Sequence, residues 1–489
     1  MRKKFLIALT LASLLFSCAS GDGGLSSSLS SGKLGHFDHP VSIDFLCMTD
    51  KNYTPRLQEF IASFREAEPN VTVNLANPLG AGSYANIERI VIAGFYKEDY
   101  PDIVQGYPDN IAKYIDRDYA IDVDPYLANE EYGLSEADRQ DYIASFMAEG
   151  SGYRVPGTYS LPFCKSTELM YYNADALLGL DLSAVDASIN GGDPLDADYL
   201  DSLTWEELFE KLCPAIKTHN DALPAAEKIL LTDSEDNPKS AIFTYDSDEN
   251  FFITLAHHYG YGYTSVNAQG AGSIDFDNPG MRALAKTLFD AKEAGYLHTR
   301  NSYENYVSEL FTKRAALFTV SSTAGLSYNY PSTNPFSVGV ARLPHAAGRE
   351  YSSINQGPSV CLLDHHDEDR ALASFLFWKH ITNEENSTTW ALRTGYMGIR
   401  SSAYQSDAYR KAIATDAASN TYAAAEAKNF LKIADVSAST FNTPVFRGSS
   451  NARTDVGVLL RKIFNSDGQE ATIADLFSQY AEDAESYLA

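Results

Sequence analysis

Leu161-Pro-Phe-Cys-Lys-Ser-Thr-Glu-Leu-Met-Tyr-Tyr-Asn173 joins two kinds of sequence that an ordinary element does not combine. Leu169, Met170, Tyr171 and Tyr172 form an apolar and aromatic run of strand length. Lys165, Ser166, Thr167 and Glu168, directly before it, are polar and rich in hydrogen-bonding groups. Such a segment suits a crossover between two lobes, its polar turn facing a cleft. The same residues also read as an ordinary strand with a polar lead-in.

Upstream, Val41, Ile43, Phe45 and Cys47 alternate as a strand, and a helix opens at Thr54 with Pro55 in its first turn. Leu57, Phe60, Ile61 and Phe64 give that helix one apolar stripe. Val71, Val73 and Leu75 alternate again, Ile87, Ile90 and Val91 mark a second helix, and 101–104 reads as a third strand. This is an alternating α/β lobe with parallel pairing, in which ligands gather at the carboxyl ends of strands. The loops at those ends are 49–53, 79–84 and 105–110; they carry Asn52 and Tyr53, Tyr84, and Tyr107 with Asp109. A tyrosine there can stack on a sugar face while its hydroxyl bonds another group, although packing competes for the role in a chain with 31 tyrosines.

Downstream the pattern turns helical. Thr204 and Glu207 form a capping box, helices are expected within 250–260, 279–295 and 303–311, and 315–320 reads as a strand running into the hydroxyl turn Ser321-Ser-Thr323. Strand-like segments follow at 338–344 and 354–363, then helices over 367–381 and 383–393, with Gly395-Tyr396-Met397 at the exit.

Arg2, Lys3 and Lys4 precede an apolar run from Phe5 to Phe16, so 1–17 reads as an export signal, too short for a good membrane span. Leu15-Phe-Ser-Cys18 resembles a bacterial lipobox, which implies an acylated Cys18 and an anchor in the cell envelope, in the periplasm or on the outer face of the cytoplasmic membrane. Residues 18–40, mostly Gly and Ser as far as Ser31, form a flexible tether before a fold that begins near Val41. Residues 1–17 hold three basic and no acidic side chains, so their removal takes the net charge from −27 to −30 and opposes nucleic-acid binding. Cys47, Cys164, Cys213 and Cys361 are spaced too widely for zinc and read as buried free thiols. No phosphate loop, nucleophile elbow or zinc helix occurs. Asp246 to Asn250 begins like a calcium loop, but Phe251 stands where glycine is required; no metal and no cofactor are expected.

Leu161-Pro-Phe with Ser166-Thr167 and Tyr171-Tyr-Asn173, then Thr204-Trp-Glu-Glu-Leu208, the strand from Ala315 to Ser322, and Trp390-Ala-Leu-Arg-Thr-Gly-Tyr-Met397 occur in a characteristic order. In this the chain resembles the extracellular solute-binding protein family 1 of ABC importers, which contains maltose- and glycerol-phosphate-binding proteins. The resemblance implies a two-lobed α/β fold of maltose-binding-protein type with several interlobe crossovers. Its expected lobes are 41–165 plus 321–356 and 166–320 plus 357–489. It also implies a monomeric binding protein without catalysis, closing on a carbohydrate or polyol and presenting it to permease subunits. By the glycerol-phosphate-binding pattern, Tyr84, Ser166, Ser322, Gly357, Tyr396 and Arg447 fall on ligand positions. That pattern's carboxylate has no clear equivalent, Asp109 standing one position late. A phosphorylated ligand would need a positive cluster, which only Lys165 and Arg447 suggest, so a neutral sugar is favoured over a polyol phosphate. The remaining alternative is a cleft glycosidase using Glu168 and Asp109.

Overall fold

Alternating apolar residues and parallel neighbours build the first sheet of the computed structural model, which describes residues 35–48, 53–76, 83–234, 239–333, 335–416 and 420–488. The export signal 1–17, Cys18, most of the tether and Asn52 lie outside the described residues. In chain order the described strands are β1 (Val41–Leu46), β2 (Val71–Ala76), β3 (Ile103–Gly106), β4 (Leu161–Pro162), β5 (Glu168–Asn173), β6 (Ala241–Tyr245) and β7 (Thr264–Val266). They continue with β8 (Gly272–Ile274), β9 (Leu297–Thr299), β10 (Ala316–Ser322), β11 (Val338–Ala341), β12 (Ser353–Ile354), β13 (Ser359–Leu362) and β14 (Thr440–Phe441).

The first sheet runs β2-β1-β3-β13-β4, with β1 parallel to β2 and β3, and β13 antiparallel to both of its neighbours. Ile43 and Phe45 are fully buried in it. Helix Thr54–Ala67 buries Leu57, Phe60 and Phe64, as its stripe requires. Phe64 and Phe45 both meet Phe377 edge-on, at 5.3 and 5.8 Å between ring centroids. Each buried phenylalanine contributes about 1.5–3 kcal/mol.

The second sheet runs β11-β5-β10-β6-β9. Here the expected division of the chain is corrected. Strand β10 does not return to the first lobe: it pairs antiparallel with β5, Val320 opposite Met170, and parallel with β6. Strand β11 then adds to the free edge of β5, and the first sheet is regained only at β13. Residues 321–341 therefore belong with the second lobe and 359–362 with the first. Helix Glu368–Ile381 also packs on β1, whereas helix Ser449–Phe464 packs on helix Asp248–Tyr259 of the second lobe. The hydroxyl turn after β10 reads as a crossover in sequence because a strand leaving its sheet and a strand ending at a pocket share the same chemistry.

Local signals are otherwise realised closely. Thr204 and Glu207 cap each other, each backbone N–H donating to the other's side chain at 3.1 Å. The helix expected over 303–311 is two short ones, Arg300–Tyr303 and Ser308–Thr312, because the chain breaks at Glu304, with φ of 65°. The four described cysteines are buried and unpaired.

His258 is buried at the back of the second lobe, where its Nδ1 accepts from Trp205 Nε1 at 3.0 Å and its Nε2 donates to Ser352 O at 2.7 Å. Burial pushes its imidazole down to about 4. The unfolded chain takes up a proton that the native state refuses, so stability present above about pH 6.5 is lost as the pH falls towards 4, by up to about 3 kcal/mol. His298, also pushed down to about 4 by burial, acts in the same direction. Urea unfolding at pH 7 and pH 5 should show a smaller acid-side loss for His258→Gln; an unchanged loss would assign the effect elsewhere.

Candidate functional site

Four tyrosines converge beyond the carboxyl ends of the first sheet. Tyr53 stands before helix Thr54–Ala67. Tyr84 opens helix Tyr84–Phe95 behind its cap Ser83, and Tyr107 links β3 to helix Pro108–Ile115. Tyr396 follows Gly395, whose φ of 77° ends helix Glu384–Thr394. The rings of Tyr84 and Tyr107 are perpendicular at 5.0 Å between centroids, and those of Tyr53 and Tyr396 lie 5.7 Å apart. Tyr396 is stacked on the buried Trp390 at 6.3 Å, which anchors it from behind. Burial pushes the Tyr396 phenol well above its ordinary value, with Cys164, Tyr84, Tyr53 and Tyr107 adding to it. Tyr84 and Tyr107 are raised for the same first reason. These three phenols therefore stay neutral at physiological pH and both donate and accept hydrogen bonds. Tyr107 is still 37% exposed, so part of its ring is open to a ligand.

The second lobe faces this group with helix Ser449–Phe464. Ser449 and Arg453 are one turn apart and share a face. Ser449 Oγ donates to the Asp109 carboxylate across the lobes, and the Arg453 guanidinium donates to Asn250 Oδ1. Asn250 Nδ2 in turn donates to Glu168 Oε1 at 2.7 Å, while the Tyr245 hydroxyl holds Glu168 Oε2. Burial raises the Asp109 carboxyl, against the Ser449 hydrogen bond and the charges of Arg453 and Lys113. Burial also raises the Tyr263 phenol, again opposed by Arg453. One guanidinium is thus felt by groups of both lobes. Aromatic faces, neutral hydroxyls, a carboxylate and one arginine are groups able to bind a polyhydroxylated solute. Among the described residues no cluster of His, Cys, Asp and Glu could hold a metal ion.

Residues 59–418 match the sequence profile of the bacterial extracellular solute-binding proteins. The chain belongs to that family. Membership makes it an exported binding protein and not an enzyme. No described helix is long and apolar enough to cross a membrane. No curated protein sequence matches the chain. Among solved structures it is similar to UgpB from Mycobacterium tuberculosis in complex with glycerophosphocholine, at 18% identity and a TM-score of 0.68, over 92% of this chain and 98% of that one. It is also similar to a cyclic α-maltosyl-1,6-maltose binding protein from Arthrobacter globiformis, at 14% identity and a TM-score of 0.66, over 91% and 99%. A third is the substrate-binding protein Lmo0181 from Listeria monocytogenes in complex with cycloalternan, at 12% and 0.65, over 91% and 98%. At these identities the likeness is one of fold, and it is the two-lobed fold expected from the sequence.

Of the positions singled out in this binding protein's sequence, the structure brings Tyr53, Tyr84, Tyr107, Asp109 and Tyr396 together. Asn52 lies outside the described residues. Lys165, Ser166, Thr167 and Gly357 lie in the segments that cross between the lobes. Ser166 and Gln356 exchange backbone hydrogen bonds at 3.0 and 2.9 Å, tying the two crossovers side by side. Gly357 has a φ of 85°, and a Cβ there would lie 1.9 Å from Cys164 O, so only glycine fits. Thr167 Oγ1, fully buried, lies 2.7 Å from Ser353 Oγ and 2.8 Å from Ile354 O. Lys165 is fully buried and paired with Glu149. Ser322 lines a separate pocket of the second lobe. Arg447 is exposed beside Lys113, Arg117 and Arg154 in an interlobe groove of about 980 Å³. Sequence reading missed Arg453, Asn250, Ser449 and Tyr263. The first and third could have been seen as a polar pair at i and i+4 on the helix face that Val456, Leu459 and Leu460 continue. Glu168, half of the glycosidase pair, has both oxygens engaged by Tyr245 and Asn250.

Proposed function

We propose that this exported binding protein captures a carbohydrate between its lobes and delivers it to the permease subunits of an ABC importer, as a monomer held to the membrane through an acylated Cys18. The observation that carries the reading is the tyrosine group of the first lobe facing Arg453 of the second, with Asp109 bonded across the seam. Stacking on tyrosine suits the apolar face of a pyranose, and neutral phenols, amide and serine groups suit its hydroxyls. The fold neighbours carry ligands of the same kind: maltotriose in the protein from Bdellovibrio bacteriovorus and acarbose in GacH from Streptomyces glaucescens. Closure follows if the solute adds contacts to the second lobe that the open form lacks.

Arg453 favours a second reading, a polyol phosphate diester, in keeping with the glycerophosphocholine of the mycobacterial neighbour. Against it stand the carboxylates of Asp109, Glu249 and Asp455, which oppose Arg453 at Tyr263 and leave little net positive charge. Thermal shift of the soluble chain from Val41, against mono- and oligosaccharides, polyols, glycerol phosphate and glycerophosphocholine, separates the two. The expected result is a rise in melting temperature with a neutral saccharide, lost in Tyr396→Ala. A rise with phosphodiesters alone would establish the second reading, and a silent panel would remove carbohydrate from consideration.

A further inference from the structure

Glu168 opens β5 directly after the first crossover and is 2% exposed, ahead of an apolar run that needs no charge to form a strand. A carboxylate out of water is costly unless donors surround it, and two side chains supply them. The Tyr245 hydroxyl, at the end of β6, donates to Oε2, and Asn250 Nδ2 donates to Oε1 at 2.7 Å. Burial raises the Glu168 carboxyl, while these two bonds, the Gln356 side chain and the charge of Arg453 lower it. Both donors are themselves fixed. Tyr245 is fully buried and stacked on Phe251 at 4.5 Å between centroids. Asn250 is 6% exposed in the first turn of helix Asp248–Tyr259, where its backbone N–H donates to the cap Ser247 Oγ at 3.1 Å.

This chain of bonds has a direction. A carboxylate with both oxygens engaged only accepts, so it takes the N–H2 of the Asn250 amide and turns the amide carbonyl away from itself. That carbonyl carries the Oδ1 to which the Arg453 guanidinium donates. With the amide reversed, an N–H2 would face the guanidinium, donor against donor. Among the described residues the half-buried Arg453 side chain makes this hydrogen bond and no ion pair, so Asn250 is what holds it. The second crossover reaches the same carboxylate: Gln356, bridged through its backbone to Ser166, acts on Glu168 with a side chain whose buried Nε2 has no hydrogen-bond partner among the described residues.

Resting on the reading of Arg453 as a solute contact, we propose that Glu168 is a positioning residue for solute binding: through Asn250 it fixes the direction of the Arg453 guanidinium before a solute arrives. A donor already held in place loses less freedom on binding. Glu168 contributes to affinity only through the arginine, and its contribution disappears where Arg453 is absent.

The test is Glu168→Gln, which keeps the shape of the side chain but offers an N–H2 beside its carbonyl, so that the Asn250 amide is free to reverse. The first readout needs no ligand. In arginine-labelled protein, NMR follows rotation of the Arg453 guanidinium about its Cζ–Nε bond, the signal being assigned with Arg453→Lys. Rotation should be at least about threefold faster in Glu168→Gln and in Asn250→Ala, as expected when one hydrogen bond is loosened, and an unchanged rate would overturn the proposal. The second readout is calorimetric Kd for the ligand that gives the largest thermal shift. It should rise about tenfold in Glu168→Gln, but no more than about twofold when the same change is added to Arg453→Ala. Equal losses in the two backgrounds would make Glu168 a structural acid only, overturning the positioning role and leaving the carbohydrate reading standing. A Kd indifferent to Arg453→Ala would overturn the assignment of that arginine to the solute, and the positioning role with it. If no saccharide binds, the carbohydrate reading falls, and the rotation rate alone decides whether Glu168 positions Arg453.

Discussion

Replacing Lys165 by methionine is expected to remove about 3–5 kcal/mol from the unfolding free energy of the ligand-free protein. Lys165 is fully buried, and its ammonium lies against the Glu149 carboxylate and donates to Gly357 O at 3.2 Å. Glu149, 8% exposed, also accepts from Ser359 Oγ at 2.9 Å and Asn355 Nδ2 at 3.2 Å. Removing the lysine leaves a carboxylate out of water with two neutral donors, and that desolvation is the larger part of the loss. The double variant Lys165→Met, Glu149→Gln removes the charge while keeping an acceptor for Ser359 and Asn355, so it should recover more than half of the deficit. Urea unfolding of both variants decides. A single variant within about 1 kcal/mol of the parent would mean that Glu149 finds water, and that the pair does not brace the crossovers. The location gives the pair its functional weight: Glu149 belongs to the first lobe, Lys165 to the first crossover, and Asn355 and Gly357 to the second. Asn355 also donates to Asn442 next to β14, so one carboxylate organises three passages of the chain between the lobes.

Much of this architecture is legible in residues whose partners are close in sequence or whose chemistry allows one outcome. The stripe Leu57, Phe60, Phe64 and the Thr204 to Glu207 box need only their own helices, and both appear. The Lys165 to Thr167 turn is legible as a crossover because a polar run before a buried strand suits one, whereas the positive φ of Gly357 in the second crossover is seen only in the structure. The lobe membership of β10 and β11 is not legible, since Ala316–Ser322 would be equally buried in either sheet and only its pairing with β5 and β6 decides. In the site, tyrosines beside strand-end loops are readable because topology sends those loops to one edge. Arg453 is not, because its role depends on where helix Ser449–Phe464 docks, which no local pattern specifies. Arg447, six residues earlier, carries the more familiar motif and points to the outer groove.

Those two arginines therefore provide the sharpest test of the cleft. With the saccharide that gives the largest thermal shift, Arg453→Ala should raise Kd by about 100-fold, the low end of the roughly 2–5 kcal/mol lost when a charged hydrogen-bonding partner is removed, since Arg453 is half-buried and closure over a solute would cover it further. The loss has two sources. The solute loses a forked donor, and Asn250 loses the group that holds its Oδ1 while its Nδ2 stays on Glu168. Arg453→Lys keeps the charge but not the planar fork, and should fall between the two. Arg447→Ala, at an exposed residue among Lys113, Arg117 and Arg154, should leave Kd within about threefold, since an exposed charge contributes about 1 kcal/mol or less. The reverse order would move the ligand out of the tyrosine group and into the groove beside Arg447 and Arg117, where Asp116 already pairs with Arg154 and Glu88 with Lys113. Measuring the Arg453 variants at low and high salt adds a second discriminator. A neutral saccharide should bind with little dependence on salt, because only dipoles cross the interface, whereas an anionic ligand held by Arg453 should weaken as screening increases.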